Sequence, residues 1–66
     1  MTIQLNGDRF ESDGPLTIST LLATLAIDAR RVAVERNFVV VKRDRYELTD
    51  LADGDQIEIV NFVGGG

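Results

Sequence analysis

The sequence has 66 residues, 44% of them apolar, and its eleven acidic and seven basic side chains give a net charge of −4. This length predicts one domain. Because cysteine and histidine are both absent, neither disulfides nor zinc sites can stabilise it, and its stability must come from packed aliphatic residues. The composition excludes disulfides, thiol catalysis and imidazole bases, and the acidic balance disfavours nucleic-acid binding.

The first segment predicts a β-hairpin. Residues 1–6 alternate between apolar and polar side chains, the pattern of a half-buried strand. Asn6-Gly7 favours a tight turn. A second strand is predicted over Arg9 to Ser12, with Phe10 pointing inward, and Asp13-Gly14-Pro15 ends it.

The next segment predicts an amphipathic helix. Its apolar stripe has helical spacing and consists of Ile18, Leu21, Leu22 and Leu25. Thr17 is the expected N-cap, and Leu16 and Leu21 occupy the positions of a hydrophobic staple around it. The helix is expected to end near residues 26–28, and it is too short to be stable without a sheet beneath it.

Short elements are predicted in the second half. Val32 to Glu35 and Phe38 to Val41 have the composition of two strands, separated by Arg36-Asn37. Lys42 to Arg45 is expected to be a solvated loop, and Leu48 to Leu51 a single helical turn.

The last strand completes the predicted fold. A tight turn at Asp53-Gly54-Asp55 precedes Gln56 to Phe62, in which Ile57 and Ile59 alternate with polar or outward residues. The order of elements predicts an α+β, β-grasp (ubiquitin-like) domain over residues 1–63. Its mixed sheet has four to five strands packed on one helix, and the last strand lies parallel to the first at the centre.

No catalytic or metal site is predicted. Without histidine or cysteine no Ser/His/Asp or Cys/His set is possible, and no glycine-rich phosphate loop precedes the helix. Asp50, Asp53 and Asp55 are a conceivable calcium or magnesium site, but they lack the spacing of an EF-hand loop and its terminal glutamate. A solvated turn is the favoured interpretation, and the sequence predicts a protein that is not an enzyme and holds no cofactor.

The glycine run Gly64-Gly65-Gly66 is the candidate reactive segment. Three glycines after a strand are unfavourable as fixed structure, but they suit a flexible tail that enters a narrow channel in another protein. A carboxylate at Gly66 resists nucleophiles, whereas its acyl-adenylate would accept sulfur to give a thiocarboxylate. A frayed end or a cloning remnant is the alternative.

An apolar group before this tail is the candidate docking surface. If Ile57 and Ile59 face the helix, Val60 and Phe62 lie on the open face of the sheet, with Val63 beside them. The alternative buries Phe62 in the core. The basic groups at 30–31 and 42–45 are interpreted as solvated charge.

Four segments resemble the ThiS sulfur-carrier family over essentially the whole chain. They are Ile3-Gln4-Leu5-Asn6-Gly7, Val32-Ala33-Val34-Glu35-Arg36-Asn37, Leu51-Ala52-Asp53-Gly54-Asp55 and Ile57-Glu58-Ile59-Val60-Asn61-Phe62-Val63-Gly64-Gly65-Gly66. The ending is the most specific of them. One departure is Lys42, where related sequences often have proline, and it is expected to alter only a loop.

The resemblance implies a function in thiazole (thiamine) synthesis. It implies that a ThiF-like adenylating enzyme uses Mg-ATP to activate Gly66, with Gly64 and Gly65 threading into that enzyme. It also implies that sulfur comes from cysteine through a desulfurase or persulfide relay and passes to a ThiG-like thiazole synthase. Val60, Phe62 and Val63 would contact these partners.

Three other functions are compatible with part of this sequence pattern. The small subunit of molybdopterin synthase is a related sulfur carrier, but such chains are usually longer and have a proline-containing segment before the glycines. A ubiquitin-like modifier and a β-grasp interaction module with an inert tail are the others.

The apolar stretches are too short to span a bilayer, and charged residues interrupt the region of a signal peptide, so a cytoplasmic location without membrane partners is expected.

Overall fold

Two hairpins, a helix and a final strand make up the fold of residues 1–62, the part of the chain that the computed structural model describes. The elements are β1 (Thr2–Leu5), β2 (Asp8–Glu11), α1 (Ile18–Thr24), β3 (Val32–Arg36), β4 (Val39–Val41) and β5 (Gln56–Asn61). Short 3-10 helices cover Ala29–Arg31 and Arg43–Arg45.

The sheet confirms the predicted β-grasp architecture. Its strand order is β2-β1-β5-β3-β4, with β5 parallel to β1 and antiparallel to β3. The β1–β2 hairpin and the β3–β4 hairpin therefore meet only through β5. The predicted boundary at residue 63 and the glycine tail lie outside the described residues.

Both hairpins turn through two residues with positive φ. These are Asn6 (49°) and Gly7 (85°) in the first hairpin, and Asn37 (51°) and Phe38 (70°) in the second. Such turns match the right-handed twist of the strands they join, and Asn-Gly is their preferred sequence. The prediction that Phe38 begins a strand is wrong, because the second turn uses Phe38 and the strand begins at Val39.

The helix begins at the predicted cap. The Thr17 hydroxyl accepts from the Thr20 N–H (3.1 Å), and the Thr20 hydroxyl accepts from the Thr17 N–H (2.8 Å), which is a reciprocal capping box. At the other end Ala26 has a φ of 56°, and the Ile27 N–H donates to the carbonyl of Leu22 (2.9 Å). This pattern is a Schellman termination, so the helix ends slightly before the predicted range.

The core lies between the helix and one face of the sheet. Its buried apolar members are Ile3, Leu16, Ile18, Leu21, Leu22, Val32, Val34, Tyr46, Leu51 and Ile57. Both residues predicted for the hydrophobic staple belong to it. Phe10 packs against its edge, as the sequence predicted.

The segment between β4 and β5 differs from its prediction. The expected solvated loop contains the 3-10 helix, and Tyr46 directly after it is buried. The expected helical turn at Leu48–Leu51 is wrong: Asp50 forms a β-bridge with Thr17, and the Leu51 N–H donates to the carbonyl of Leu16 (2.8 Å). These contacts with the start of the helix hold the segment extended.

A buried carboxylate orders the turn before β5. Asp55 is 6% exposed and accepts from the Ala52 N–H (2.8 Å), the Arg36 guanidinium (2.8 Å) and the Asn37 amide (3.0 Å). Burial by itself raises the pKa of Asp55, but these hydrogen bonds and the charge of Arg36 outweigh it and leave the pKa below its ordinary value.

We expect Asp55 to make stability depend on acid pH. Because its folded pKa is lowered, its contribution is complete above the unfolded pKa of about 3.9 and is lost as the pH falls through the folded pKa. Asp55→Asn should therefore lower stability at neutral pH by about 1–3 kcal/mol and flatten the acid limb.

Urea unfolding at a series of pH values from about 7 to about 2 measures this dependence. Part of the acid limb should remain in the variant, because the pKa of Asp28 is lowered to about 2 as well. An acid limb as steep as that of the parent protein would contradict the assignment to Asp55.

Candidate functional site

The candidate docking residues lie where β5 leaves the sheet. Val60 is 55% exposed and Phe62 is 59% exposed. Val63 and the glycines Gly64, Gly65 and Gly66 lie outside the described residues, so the structure describes only the base of the predicted tail.

The pairing with β3 determines which face Phe62 occupies. Ile57 is buried and Ile59 packs against the core, so Glu58 and Val60 face the other way. The Phe62 N–H donates to the carbonyl of Arg31 (2.9 Å), which continues the ladder by one residue beyond β5. The alternative in which Phe62 joins the core is therefore wrong.

The two neighbours of β5 support it over different lengths. Strand β3 pairs with it from Ile57 to Asn61, whereas β1 pairs only with Gln56 and Ile57. Beyond that point the Asn6 side chain takes over: its oxygen accepts from the Ile59 N–H (2.7 Å) and its amide donates to the Ile59 carbonyl (3.3 Å). A side chain thus reproduces the hydrogen bonds of one further strand residue.

A second asparagine holds the other end of β5. The Asn37 N–H donates to the Gln56 carbonyl (2.7 Å), and the Asn37 side-chain oxygen accepts from the Gln56 N–H (2.9 Å). Asn6 and Asn37 both follow a strand and both have positive φ, a conformation that asparagine tolerates better than most residues. The exposed residues therefore project from a strand that is fixed at both ends.

The open face of the sheet near Val60 and Phe62 carries two acidic side chains. Glu58 lies directly opposite Glu35 on the open face, and the ion pairs among residues 1–62 include neither of them. Ala33 lies opposite Val60. The open face therefore has an apolar area at the strand exit and two adjacent carboxylates below it.

The arginines beside the strand exit are engaged with Asp28. Arg30 donates to both oxygens of that carboxylate (3.1 and 2.9 Å), and the Arg31 guanidinium lies 3.9 Å from it. The hydrogen bonds from Arg30, more than its charge, lower the pKa of Asp28 to about 2. Arg31 contributes mainly its backbone carbonyl, which holds Phe62.

The three aspartates weighed as a metal site have structural positions. Asp50 bridges to Thr17, Asp53 accepts from the Thr2 N–H (2.7 Å), and Asp55 belongs to the network before β5. In the described part of the chain, no group of three or more acidic side chains is arranged to hold a metal ion. None of the helices that this part contains is long and apolar enough to cross a bilayer.

Sequence reasoning missed Asn6, Asn37 and Asp55 as the residues that position the site. The first was interpreted only as a turn residue, although its side chain bonds a residue 53 positions away. One sequence feature common to the three residues could have indicated this role: each is a polar residue next to the end of a predicted strand, where backbone groups lack partners.

Comparison with known proteins identifies relatives over the whole chain. The model of the ThiS family matches residues 3–66. The sulfur carrier protein ThiS of Bacillus subtilis is 44% identical, and the match covers 97% of this chain and 98% of that protein. A thiazole synthase from Paramagnetospirillum magneticum is 41% identical over all of this chain, which spans only 20% of that longer protein.

A solved structure agrees with the fold. The thiamine biosynthesis protein (ThiS) from Geobacter metallireducens superposes with a TM-score of 0.88 at 36% identity, and the match covers 100% of both chains.

We predict that the two asparagines act locally on the strand that carries the site. Asn6→Gly retains the positive φ but removes the side-chain bonds, so the Ile59 amide should exchange about 2- to 10-fold faster, as expected for one lost hydrogen bond. Hydrogen exchange by NMR measures the rate for each amide.

Asn37→Gly is the matched control, since it should release the Gln56 amide and leave Ile59 protected. Equal acceleration at both amides in both variants would show a global loss of stability and contradict local support of β5.

Proposed function

The chain belongs to the ThiS family of sulfur carriers in thiamine biosynthesis, and we propose that the carboxyl group of Gly66 is the atom group that is activated and carries the sulfur. The glycines Gly64 and Gly65 deliver it into the active site of a partner. In this proposal the carrier supplies the carboxylate and a docking surface, and its partners supply the catalysis.

The proposed chemistry has three steps. A ThiF-like enzyme with Mg-ATP joins the carboxylate of Gly66 to the α-phosphate and releases pyrophosphate. A persulfide, formed from cysteine by a desulfurase or relay, then attacks the acyl carbon and expels AMP. Reduction of the resulting acyl disulfide by a thiol leaves the thiocarboxylate. ATP and magnesium belong to the partner, so the carrier needs no cofactor of its own.

The position of Phe62 is the observation that supports this proposal most directly. Gly66 lies four residues beyond it in the sequence, and four residues of extended chain reach at most about 14 Å. An enzyme that acts on Gly66 must therefore approach the strand exit closely. The exposed side chains of Val60 and Phe62, with Val63 next in sequence, are proposed to contact it.

The surface also indicates the chemistry of a partner. An apolar socket would cover Val60 and Phe62, and a basic border would face the adjacent carboxylates of Glu35 and Glu58. A ThiG-like thiazole synthase is the proposed acceptor of the sulfur. A thiazole synthase is proposed as a partner because one relative, itself a thiazole synthase, contains a segment similar to this chain.

Intact-mass measurement tests the sulfur chemistry. The protein ending at Gly66 is incubated with the adenylating enzyme, ATP and a sulfur source, and the C-terminal peptide is then mapped. We expect a gain equal to replacement of one oxygen by sulfur, located on Gly66 and dependent on ATP.

Deletion of Gly66 and the substitution Gly66→Ala provide the controls. The deletion should abolish the gain while the fold is retained, and Gly66→Ala should slow activation because a methyl group must enter the channel. No gain with an adenylating enzyme that is active on another carrier would exclude Gly66 as a sulfur site for that enzyme.

We further predict that Phe62→Ala weakens partner binding more than folding. A buried phenylalanine typically costs about 3–5 kcal/mol when truncated, but Phe62 is more than half exposed and should cost less than about 1 kcal/mol. A contact residue in the interface centre should lower affinity about 10-fold or more. Calorimetry with the adenylating enzyme and urea unfolding measure the two effects.

Phe38→Ala is the matched control, because Phe38 is also exposed but directly follows Asn37, which bonds Gln56 at the opposite end of β5. Equal losses of affinity in the two variants, or a stability loss in the buried range for Phe62→Ala, would contradict the assigned docking role.

A further inference from the structure

The two outer strands of the sheet differ in the protection of their edges. Strand β2 contains Asp8, Arg9 and Glu11, whereas β4 consists of Val39, Val40 and Val41. Outer strands usually carry charges, proline or a bulge, because unpaired backbone groups otherwise accept another strand. Within β4 itself none of these features is present.

The register shows which groups of β4 face outward. The backbone N–H and carbonyl groups of the odd-numbered residues in β3 point toward β5, as the Asn37–Gln56 and Phe62–Arg31 hydrogen bonds on either side of the strand show. The even-numbered residues of β3 consequently bond β4, through the pairs with Val39 and Val41. The N–H and carbonyl of Val40 between them point away from the sheet.

The turn beside this edge has an unusual residue. Phe38 adopts a φ of 70°, in the left-handed region that disfavours bulky side chains, and its side chain is 71% exposed. Burial within this chain does not offset that backbone strain. Val39 and Val40 are each 66% exposed and lie on opposite faces of β4, so apolar side chains flank the edge on both sides beside the exposed tip.

We infer that this edge binds a second copy of the chain by antiparallel pairing of β4 with β4, about a twofold axis at Val40. The residues around Val40 complement themselves in this register. Val40 faces Val40 of the other copy and exchanges two backbone hydrogen bonds with it, while Val39 faces Val41.

The flanking residues also match in this arrangement. The strand pairing ends at Val39 and Val41, and the turn that carries Phe38 in one copy then lies next to Lys42 of the other. The exposed ring is thus within reach of an ammonium group and its aliphatic stem, and the two lysines do not oppose each other. The same pairing on β2 would need a register that also satisfies its three charged residues. Charge and residue order thus favour β4 as the edge that self-associates.

The size of the edge sets the strength of the contact. Stable interfaces bury roughly 1,200–2,000 Å² in total, and a three-residue strand with one aromatic tip provides less. The dimer is therefore weak and forms at high protein concentration. Its net charge of −4 per copy opposes association, so added salt should strengthen it. Edge pairing leaves the open face that bears Phe62 uncovered.

Sedimentation equilibrium of the parent protein, over concentrations on the order of 10 μM to 1 mM, tests the inference. We expect a reversible monomer–dimer equilibrium in that range. Val40→Lys places two ammonium groups opposite each other at the twofold axis and should keep the protein monomeric throughout. Leu48→Lys is the control, since Leu48 is 69% exposed but lies outside the sheet, and it should associate as the parent does.

Phe38→Gly separates this role from a structural one. It relieves the left-handed strain and should raise the melting temperature, yet it should also weaken dimerisation severalfold. Concentration-dependent NMR shifts should be confined to residues 38–42 and their β3 neighbours. A monomer at all concentrations, or dimerisation unchanged by Val40→Lys, would overturn the inference. Neither result would affect the mass test of Gly66.

Discussion

The pairing of β5 between β1 and β3 is the interaction on which the structure depends. Each hairpin closes locally through a two-residue turn, but the two hairpins share no direct pairing and become one sheet only when β5 lies between them. Ile57 on this strand is 1% exposed and joins the core beneath the helix. The strand that leads to the glycine run is thus also the strand that the fold constrains most, which gives the proposed reactive end a defined starting position.

Two asparagine side chains, Asn6 and Asn37, supply the hydrogen bonds that the unequal lengths of the strands around β5 leave missing. Strand β1 ends at Leu5, so the backbone of Ile59 would lack a partner on that side without the amide of Asn6. Asn37 does the same at the beginning of the strand, where its side-chain oxygen accepts from the Gln56 N–H and its amide donates to Asp55. Buried or half-buried backbone groups without partners are costly, and each of the two asparagine side chains replaces a missing strand residue. The order of β5 is consequently a property of residues distant in sequence.

This distance explains which parts could be predicted from the sequence. Alternation identified the strands and placed Val60 and Phe62 opposite the core side of Ile57, because a period of two leaves no other arrangement once one face is buried. Thr17 and the Asn6-Gly7 turn followed from local chemistry. The turn at Phe38 could not be foreseen, since phenylalanine is favoured in strands and the apolar run continued through it. The extended segment around Asp50 depends on contacts with the start of the helix, which local propensity does not contain.

Two locally unfavourable features lie on the surface of this protein, where packing in the core does not compensate for their cost. Adjacent like charges at Glu35 and Glu58 disfavour the sheet, and the left-handed phenylalanine at residue 38 disfavours its turn. Neither is offset by buried apolar contact. Since the two features lie on different parts of the molecule, one on the open face and one at the outer edge, a single binding event need not account for both. The open face bears the strand exit and suits the enzymes proposed to act on Gly66, while the edge can pair with a strand without covering that exit. The same small sheet therefore has room for two contacts at once, provided that one uses its face and the other its edge.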